Sequence, residues 1–403
     1  MPIQVFPTPS AGASYSSQPP ASASSVLLDG QLVTASLYST TVTGTGAPWL
    51  LYANGAGTTT ITVGSDTYTV TAGSTVGTSA YTGSKSVSVA ASFASTAPTT
   101  FTASTLPSSS FYSVAYGKIS GVNYYVGVAY GTTSNAYSTN GTSWTASTMP
   151  NSAGYLGIAF GNGYFVSAAF GVAASAYSTN GTTWTAGSMP SALSWRDIAY
   201  GNGTYVAVQS DGTTAGAYST NGTTWTASTM PLNSAWFGVT YGNGYFVAVS
   251  GTGATNYGAY STNGSTWTAS TMPTSNNWTG VGYGNGTYVA VQNGAGTTAA
   301  AYSINATSWT ATSMPSSATW YKVTYGNGYF VAVSTSTAAA YSTNGTTWTA
   351  ATLPSSGGWY GVTYGNGYFV TLGSSSTSSA AYFAQAALTP LAYGIYNGAT
   401  VRA

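Results

Sequence analysis

The chain has 403 residues, of which only 2% are charged, and a formal net charge of +1. It contains no Glu, no His and no Cys, which together exclude disulfides, thiolate zinc sites, thiol nucleophiles and a Ser-His-Asp triad. So few charges create no field that could hold a phosphate backbone or an anionic bilayer, so nucleic-acid and polybasic membrane binding are disfavoured.

In chain order, residues 1–20 carry Pro7, Pro9, Pro19 and Pro20 among Ser, Ala and Gly. Such a stretch buries too little apolar surface to fold alone and is expected as an extended arm. Within it Ile3, Val5 and Phe6 form an apolar cluster that could dock by adding a strand to a partner's sheet, ended by Pro7 and Pro9, which lack donors. A plain unstructured terminus is the equally weighted reading. The start shows no basic segment and no apolar stretch of signal-peptide length, and no run of about 18 apolar residues occurs, so neither a leader nor membrane insertion is expected. Residues 21–97 alternate Thr, Val and Ile with period two. Thr60 to Val63, Gly64-Ser65-Asp66 and Thr67 to Val70 read as a hairpin. A small β-sandwich-like adaptor domain is expected over 21–97, and a C-terminal tail over 385–403.

Between them, residues 98–384 are built from repeats. Seven prolines, Pro107, Pro150, Pro190, Pro231, Pro273, Pro315 and Pro354, follow one another at 43, 40, 41, 42, 42 and 39 residues. A period near 40 with internal turn signals marks a propeller, solenoid or array. The ends choose between them. The first copy keeps only Phe101 to Pro107, and the last stops after Ala380-Ala381-Tyr382 without its Trp strand. A closed ring gains a seam from that split, because the early strand completes the last blade. An all-β fold is expected: a seven-bladed β-propeller with strand-swapped closure.

The unit after Pro231 shows the four strands a blade needs. Trp236 to Tyr241 reads as the inner strand, Tyr245 to Val249 as the second, Ala259 to Thr262 as the third and Thr266 to Thr268 as the fourth. Asn263-Gly264 is read as the type I′ hairpin turn, which needs positive φ at both positions. Period-two counting puts Phe237, Val239 and Tyr241 on one face and Gly238 and Thr240 on the other. The large face of one blade would then fill the small face of the next.

Ser-Thr-Asn-Gly-Thr-Thr-Trp occurs at Ser178 to Trp184, Ser219 to Trp225 and Ser342 to Trp348, with variants at Ser138, Ser261 and Ser303. This resembles the Asp-box (sialidase-like) repeats of propellers, many of them bacterial and phage surface proteins. The resemblance covers 101–382 and departs from the pattern in having Asn for Asp and a turn one residue shorter. It implies a structural box on the blade periphery, away from any active site. Sialidase chemistry is not implied, since the repeats hold one arginine, Arg196, and no Glu. Hydrolysis by two carboxyls would have only Asp197 and Asp211 to use. No catalytic residue, metal or cofactor is assigned, and the chain is expected not to be an enzyme.

An aromatic follows each Pro by four or five residues: Phe111, Tyr155, Trp195, Trp236, Trp278, Trp320 and Trp359. Ring closure would gather these around one channel end, where flat rings with Asn276 and Asn277 as donors suit sugars; packing between blades is the alternative. Prolines, adaptor, repeats and an uncharged surface look like a bacteriophage tail or head fibre protein. Arm and adaptor would contact other virion proteins or a second copy, and the propeller would face outward to host-cell glycan. A free lectin and a glycoside hydrolase are the alternatives.

Overall fold

The structure is a computed structural model. It describes residues 97–385 except 252–255, 295–297 and 377–378, and, outside that span, the strands Ser36–Thr43, Trp49–Asn54, Thr58–Val63, Asp66–Thr71, Thr75–Gly77, Ser84–Ser92 and Ala392–Asn397. The described residues contain no helix. The chain divides into two units, 1–96 with 386–403, and 97–385. Ile3, Val5 and Phe6 lie outside the described residues.

The first unit holds two antiparallel sheets. One orders Ser36–Thr43, Ser84–Ser92, Thr58–Val63 and Asp66–Thr71; in its hairpin Ile61 stands opposite Tyr68. The other places Trp49–Asn54 between Thr75–Gly77 and Ala392–Asn397. The segment read as a C-terminal tail therefore contributes a full strand, with Trp49 opposite Asn397 and Asn54 opposite Ala392.

The second unit is a seven-bladed β-propeller. Its inner strands are Phe111–Ile119, Gly154–Gly161, Trp195–Gly201, Trp236–Gly242, Trp278–Gly284, Trp320–Gly326 and Trp359–Gly365, numbered here as blades 1 to 7. Blade 4 continues through Tyr245–Ser250, Tyr257–Ser261 and Thr268–Thr271 in one four-stranded sheet. The fourth strand thus starts after Trp267 rather than containing it. The seam is where the repeat count put it. Thr102–Ser104 pairs with Ala380–Ala384 as the outer strand of blade 7, with Ala381 opposite Ala103.

The two Asn-Gly turns of the blade 4 repeat differ. At Gly242-Asn243-Gly244, Asn243 and Gly244 have φ of 44° and 84° and Gly242 pairs with Tyr245, so this is the two-residue I′ turn. At Asn263-Gly264 only the glycine is left-handed, φ 74°, which corrects the turn assigned there. That second turn is held by side chains: the Gly264 N–H donates to Ser261 Oγ at 2.8 Å. Asn263 Oδ1 accepts from the N–H groups of Ser265 (3.0 Å) and Thr266 (2.9 Å). Ser and Asn here do what they do in Asx and ST turns generally.

Core packing lies between blades. Each of seven buried clusters draws from two consecutive blades, such as Val206 and Val208 of blade 3 with Trp236, Val239 and Phe246 of blade 4. Aromatic-Gly pairs close the inner strands. A Cβ on Gly201 would lie 1.9 Å from Tyr241, and the same relation links Gly117 to Phe160, Gly161 to Tyr200, Gly242 to Tyr283, Gly284 to Tyr325, Gly326 to Tyr364 and, across the seam, Gly365 to Tyr116. Each blade's glycine seats the next blade's ring. Fully burying a side chain such as Val206 or Phe246 of these clusters contributes about 1.5–3 kcal/mol, which is how a chain with one ion pair among its described residues holds together.

Candidate functional site

The inner strands share one irregularity, and it makes the site. Every inner strand has a β-bulge at its start: the ladder register shifts between Phe111 and Ser113, Tyr155 and Gly157, Trp195 and Asp197, Trp236 and Gly238, Trp278 and Gly280, Trp320 and Lys322, and Trp359 and Gly361. A bulge leaves one residue without a ladder partner and re-aims its side chain. The seven extra residues are Tyr112, Leu156, Arg196, Phe237, Thr279, Tyr321 and Tyr360, and together they ring one mouth of the axial channel. This corrects the two-face reading of the inner strand: Phe237 and Tyr360 leave the blade face for the mouth, while Val239 and Val362 stay in the core.

The same shift corrects the expected sugar platform. Phe111, Tyr155, Trp236, Trp278, Trp320 and Trp359 are 0% exposed and Trp195 is 1% exposed, each in its own blade-to-blade cluster. The indole N–H groups of Trp195, Trp278, Trp320 and Trp359 donate to the carbonyls of Ser191, Thr274, Ser316 and Ser355. Tyr155 donates to Asn151 Oδ1 at 2.8 Å, and burial pushes its phenol up to about 12. These rings have no free face for a ligand. Asn276 and Asn277 are half-buried in the loop before Trp278, where Asn276 donates to Thr274, and neither lines the channel.

At the mouth, Tyr112 and Tyr360 stack with ring centres 4.6 Å apart at 12°, and Tyr321 meets Tyr360 edge-on at 4.5 Å. The Arg196 guanidinium lies 4.8 Å from the centre of the Phe237 ring and 5.7 Å from that of Tyr321, and donates to the Tyr321 hydroxyl. Burial lowers the Arg196 pKa from its ordinary value, with the Tyr112 phenol and the Asp197 carboxylate opposing. Just inside, Lys322 of blade 6 reaches across to Asp197 of blade 3, with Nζ 2.6 Å from Oδ2, and the Val239 N–H donates to the same oxygen at 3.0 Å. Asp197 is 5% exposed while the Lys322 side chain is 22% exposed, so the pair is desolvated chiefly at its carboxylate, and such pairs add little net stability.

The propeller carries five charged side chains, and three of them, Arg196, Asp197 and Lys322, meet here. Asp211 stands apart, accepting from the Ser194 N–H at 2.6 Å in the loop before the blade 3 inner strand. The cup between the mouth residues holds about 20 Å³, room for about one water. Behind it the axial cavity opens to about 260 Å³, walled by Val239, Val281, Val323 and Val362 and edged by Tyr200, Tyr241, Tyr283 and Tyr325. A ligand at the mouth would lie across the ring rather than thread it. The available chemistry is ring-face stacking, phenol and guanidinium donation, and one buried carboxylate.

One signal for this ring is present in the repeats. The residue after the post-Pro aromatic changes from blade to blade, through Tyr, Leu, Arg, Phe, Thr, Tyr and Tyr, whereas the segments downstream nearly repeat.

No protein-family model and no curated protein matches the sequence. Among solved structures the propeller is similar to a streptogramin B lyase (14% identity, TM-score 0.62, 71% of this chain and 97% of that one). It is also similar to a catalytically inactive virginiamycin B lyase of Staphylococcus aureus with quinupristin (12%, 0.61, 70% and 98%). A third is YCF48 bound to D1 peptide (17%, 0.53, 71% and 94%). At these identities the likeness is one of fold. It nonetheless corrects the expectation that the chain is not an enzyme: two of these three solved structures are of lyases, so the fold gives no ground for a non-enzyme.

Proposed function

We propose that this is a ligand-binding propeller that contacts host-cell glycan through its ringed mouth, displayed as a tail or head fibre protein on a virion surface. The observation that carries the binding reading is the set of seven bulges, each turning one residue to the same opening. Tyr112, Phe237, Tyr321 and Tyr360 supply half-buried ring faces for sugar stacking, and Arg196 and the phenols supply donors. Even an aromatic pair gains only about 0.5–1.5 kcal/mol beyond area, so a single sugar site is weak and many copies on a particle raise the avidity. The virion reading rests on composition, on the repeats' resemblance to Asp-box propellers of phage surface proteins, and on the Ile3, Val5 and Phe6 segment as an anchor to another virion protein or a second copy.

The test is competition for adsorption. Purified protein should block particle adsorption to host cells, and Tyr321→Ala with Tyr360→Ala should abolish the block while circular dichroism and melting stay native. Trp278→Ala with Trp320→Ala should instead lower stability, by about 3–5 kcal/mol for each buried indole. Undiminished competition by the folded tyrosine double variant would remove the mouth as the binding face. In the same preparations, a chain lacking residues 2–10 should fail to co-purify with particles; incorporation at normal copy number would end the anchoring role.

A further inference from the structure

Resting on the binding reading above, we infer that the mouth selects glycans bearing an anionic substituent, with Arg196 as the residue that reads the charge. Asp197 spends its Oδ2 on Lys322 and on the Val239 N–H, and it pairs with Lys322 rather than with its chain neighbour. The bulge is the reason: it turns Arg196 outward to the mouth while Asp197 stays on the channel wall. Arg196 is therefore a half-buried guanidinium whose partners are the Tyr321 hydroxyl and the faces of Phe237 and Tyr321, with no carboxylate of its own.

A guanidinium has five donors in a planar fork suited to carboxylate or phosphate oxygens. One of them is occupied here. Two cations and one anion leave the site with an excess of one positive charge, in a propeller nearly empty of charge elsewhere. An anionic sugar laid across the ring would place its ring face on Tyr321 or Tyr360 and its carboxylate or phosphate on the open edge of the Arg196 fork. The cup, with room for about one water, admits such a substituent no deeper than the guanidinium.

The experiment uses the full chain on immobilised glycans in matched pairs: uronate- and sialate-containing oligosaccharides against their carboxyl-reduced forms, and phosphate-substituted ones against their dephosphorylated forms. The acidic member of at least one pair should bind about tenfold or more tighter, a ratio that falls to near one in Arg196→Gln and is partly kept in Arg196→Lys, which retains the charge without the fork. If Arg196→Gln does not fold, the salt dependence of the native protein decides: acidic binding weakens from low to high salt while neutral binding holds. Equal binding of both members, unaffected by Arg196→Gln, overturns charge selection and leaves the glycan face standing. Binding to no pair overturns both. Competition by poly-glutamate as effective as by the acidic glycan also overturns the inference, since charge without a sugar would then suffice.

Discussion

Gly201 shows how a single hydrogen can decide a contact. Gly→Ala in a strand of ordinary φ usually stabilises by restricting the unfolded chain, by about 0.4–1 kcal/mol. At Gly201 the added methyl would fall 1.9 Å from the Tyr241 ring of the next blade, and that ring is itself wedged against Phe246 with centres 4.8 Å apart. We expect Gly201→Ala to destabilise by about 1–3 kcal/mol, the ordinary cost of overpacking, read as a lower denaturant midpoint at unchanged m-value. An unchanged midpoint would mean the ring yields freely. Ala306 illustrates the opposite outcome. It sits at φ 67° where the other boxes have glycine, yet it is fully buried, so its methyl fills the cluster around Trp309 and offsets part of its backbone strain.

At the scale of the strand, three second-strand tyrosines tie neighbouring blades by donating to inner-strand carbonyls: Tyr125 to Gly365, Tyr205 to Gly161 and Tyr288 to Gly242. Burial is the main cause raising all three phenols above their ordinary value of 10.0. A raised folded pKa means the neutral form is favoured in the fold. The stabilisation is complete below about pH 10 and is lost as pH climbs through the folded values. Denaturation followed from pH 7 to 12 should therefore give flat stability to about pH 10 and a steep fall beyond. Tyr205→Phe should cost about 1 kcal/mol at pH 8 and soften that fall. An identical alkaline slope in the variant would show that the phenol does not carry the effect.

Strand order, the seam and the four-strand blade were legible in the repeats because period and turn residues report them directly. The mouth was not, and the reason is local. Period-two alternation assumes an unbroken ladder, so one bulged residue moves the channel-facing position from Trp236 to Phe237 and from Trp320 to Tyr321. Likewise Asn-Gly at 243–244 and at 263–264 are the same dipeptide, and only the Ser and Asn side-chain bonds around the second distinguish the turns. The Asp197–Lys322 contact joins residues 125 apart, a pairing that ring closure creates and no short motif announces.

For the whole propeller, closure is the decisive feature. The Thr102–Ser104 strand pairs through three residues with blade 7, while Phe101 and Leu106 are each 2% exposed on either side of it. Deleting 101–106 should remove that outer strand, empty two core positions and expose the backbone of Ala380–Ala384 as a free edge. We expect the shortened chain to melt at a markedly lower temperature and to aggregate, seen by light scattering during a thermal ramp. A monomer with native melting would show that the ring closes without its seam. Four other outer strands are bridged instead to the following blade's turn, through Thr148, Ser188, Thr229 and Thr271, and Thr352 of blade 6 forms the same parallel bridge to Thr100 just before the seam strand.

The bulges also separate two kinds of inheritance within one chain. A bulged residue lies outside the ladder pairing, and at the mouth it borders the channel, so its identity enters neither strand register nor the clusters between blades. The seven positions are the ones at which the repeat varies, and two of them also make bonds of their own, Thr279 to the Trp320 carbonyl of the next blade and Arg196 to Tyr321. Arg, Leu, Thr, Phe and Tyr already occupy equivalent places around a single opening. The mouth is in this sense the variable part of a repeated frame, differing from blade to blade where the rest of the unit nearly recurs.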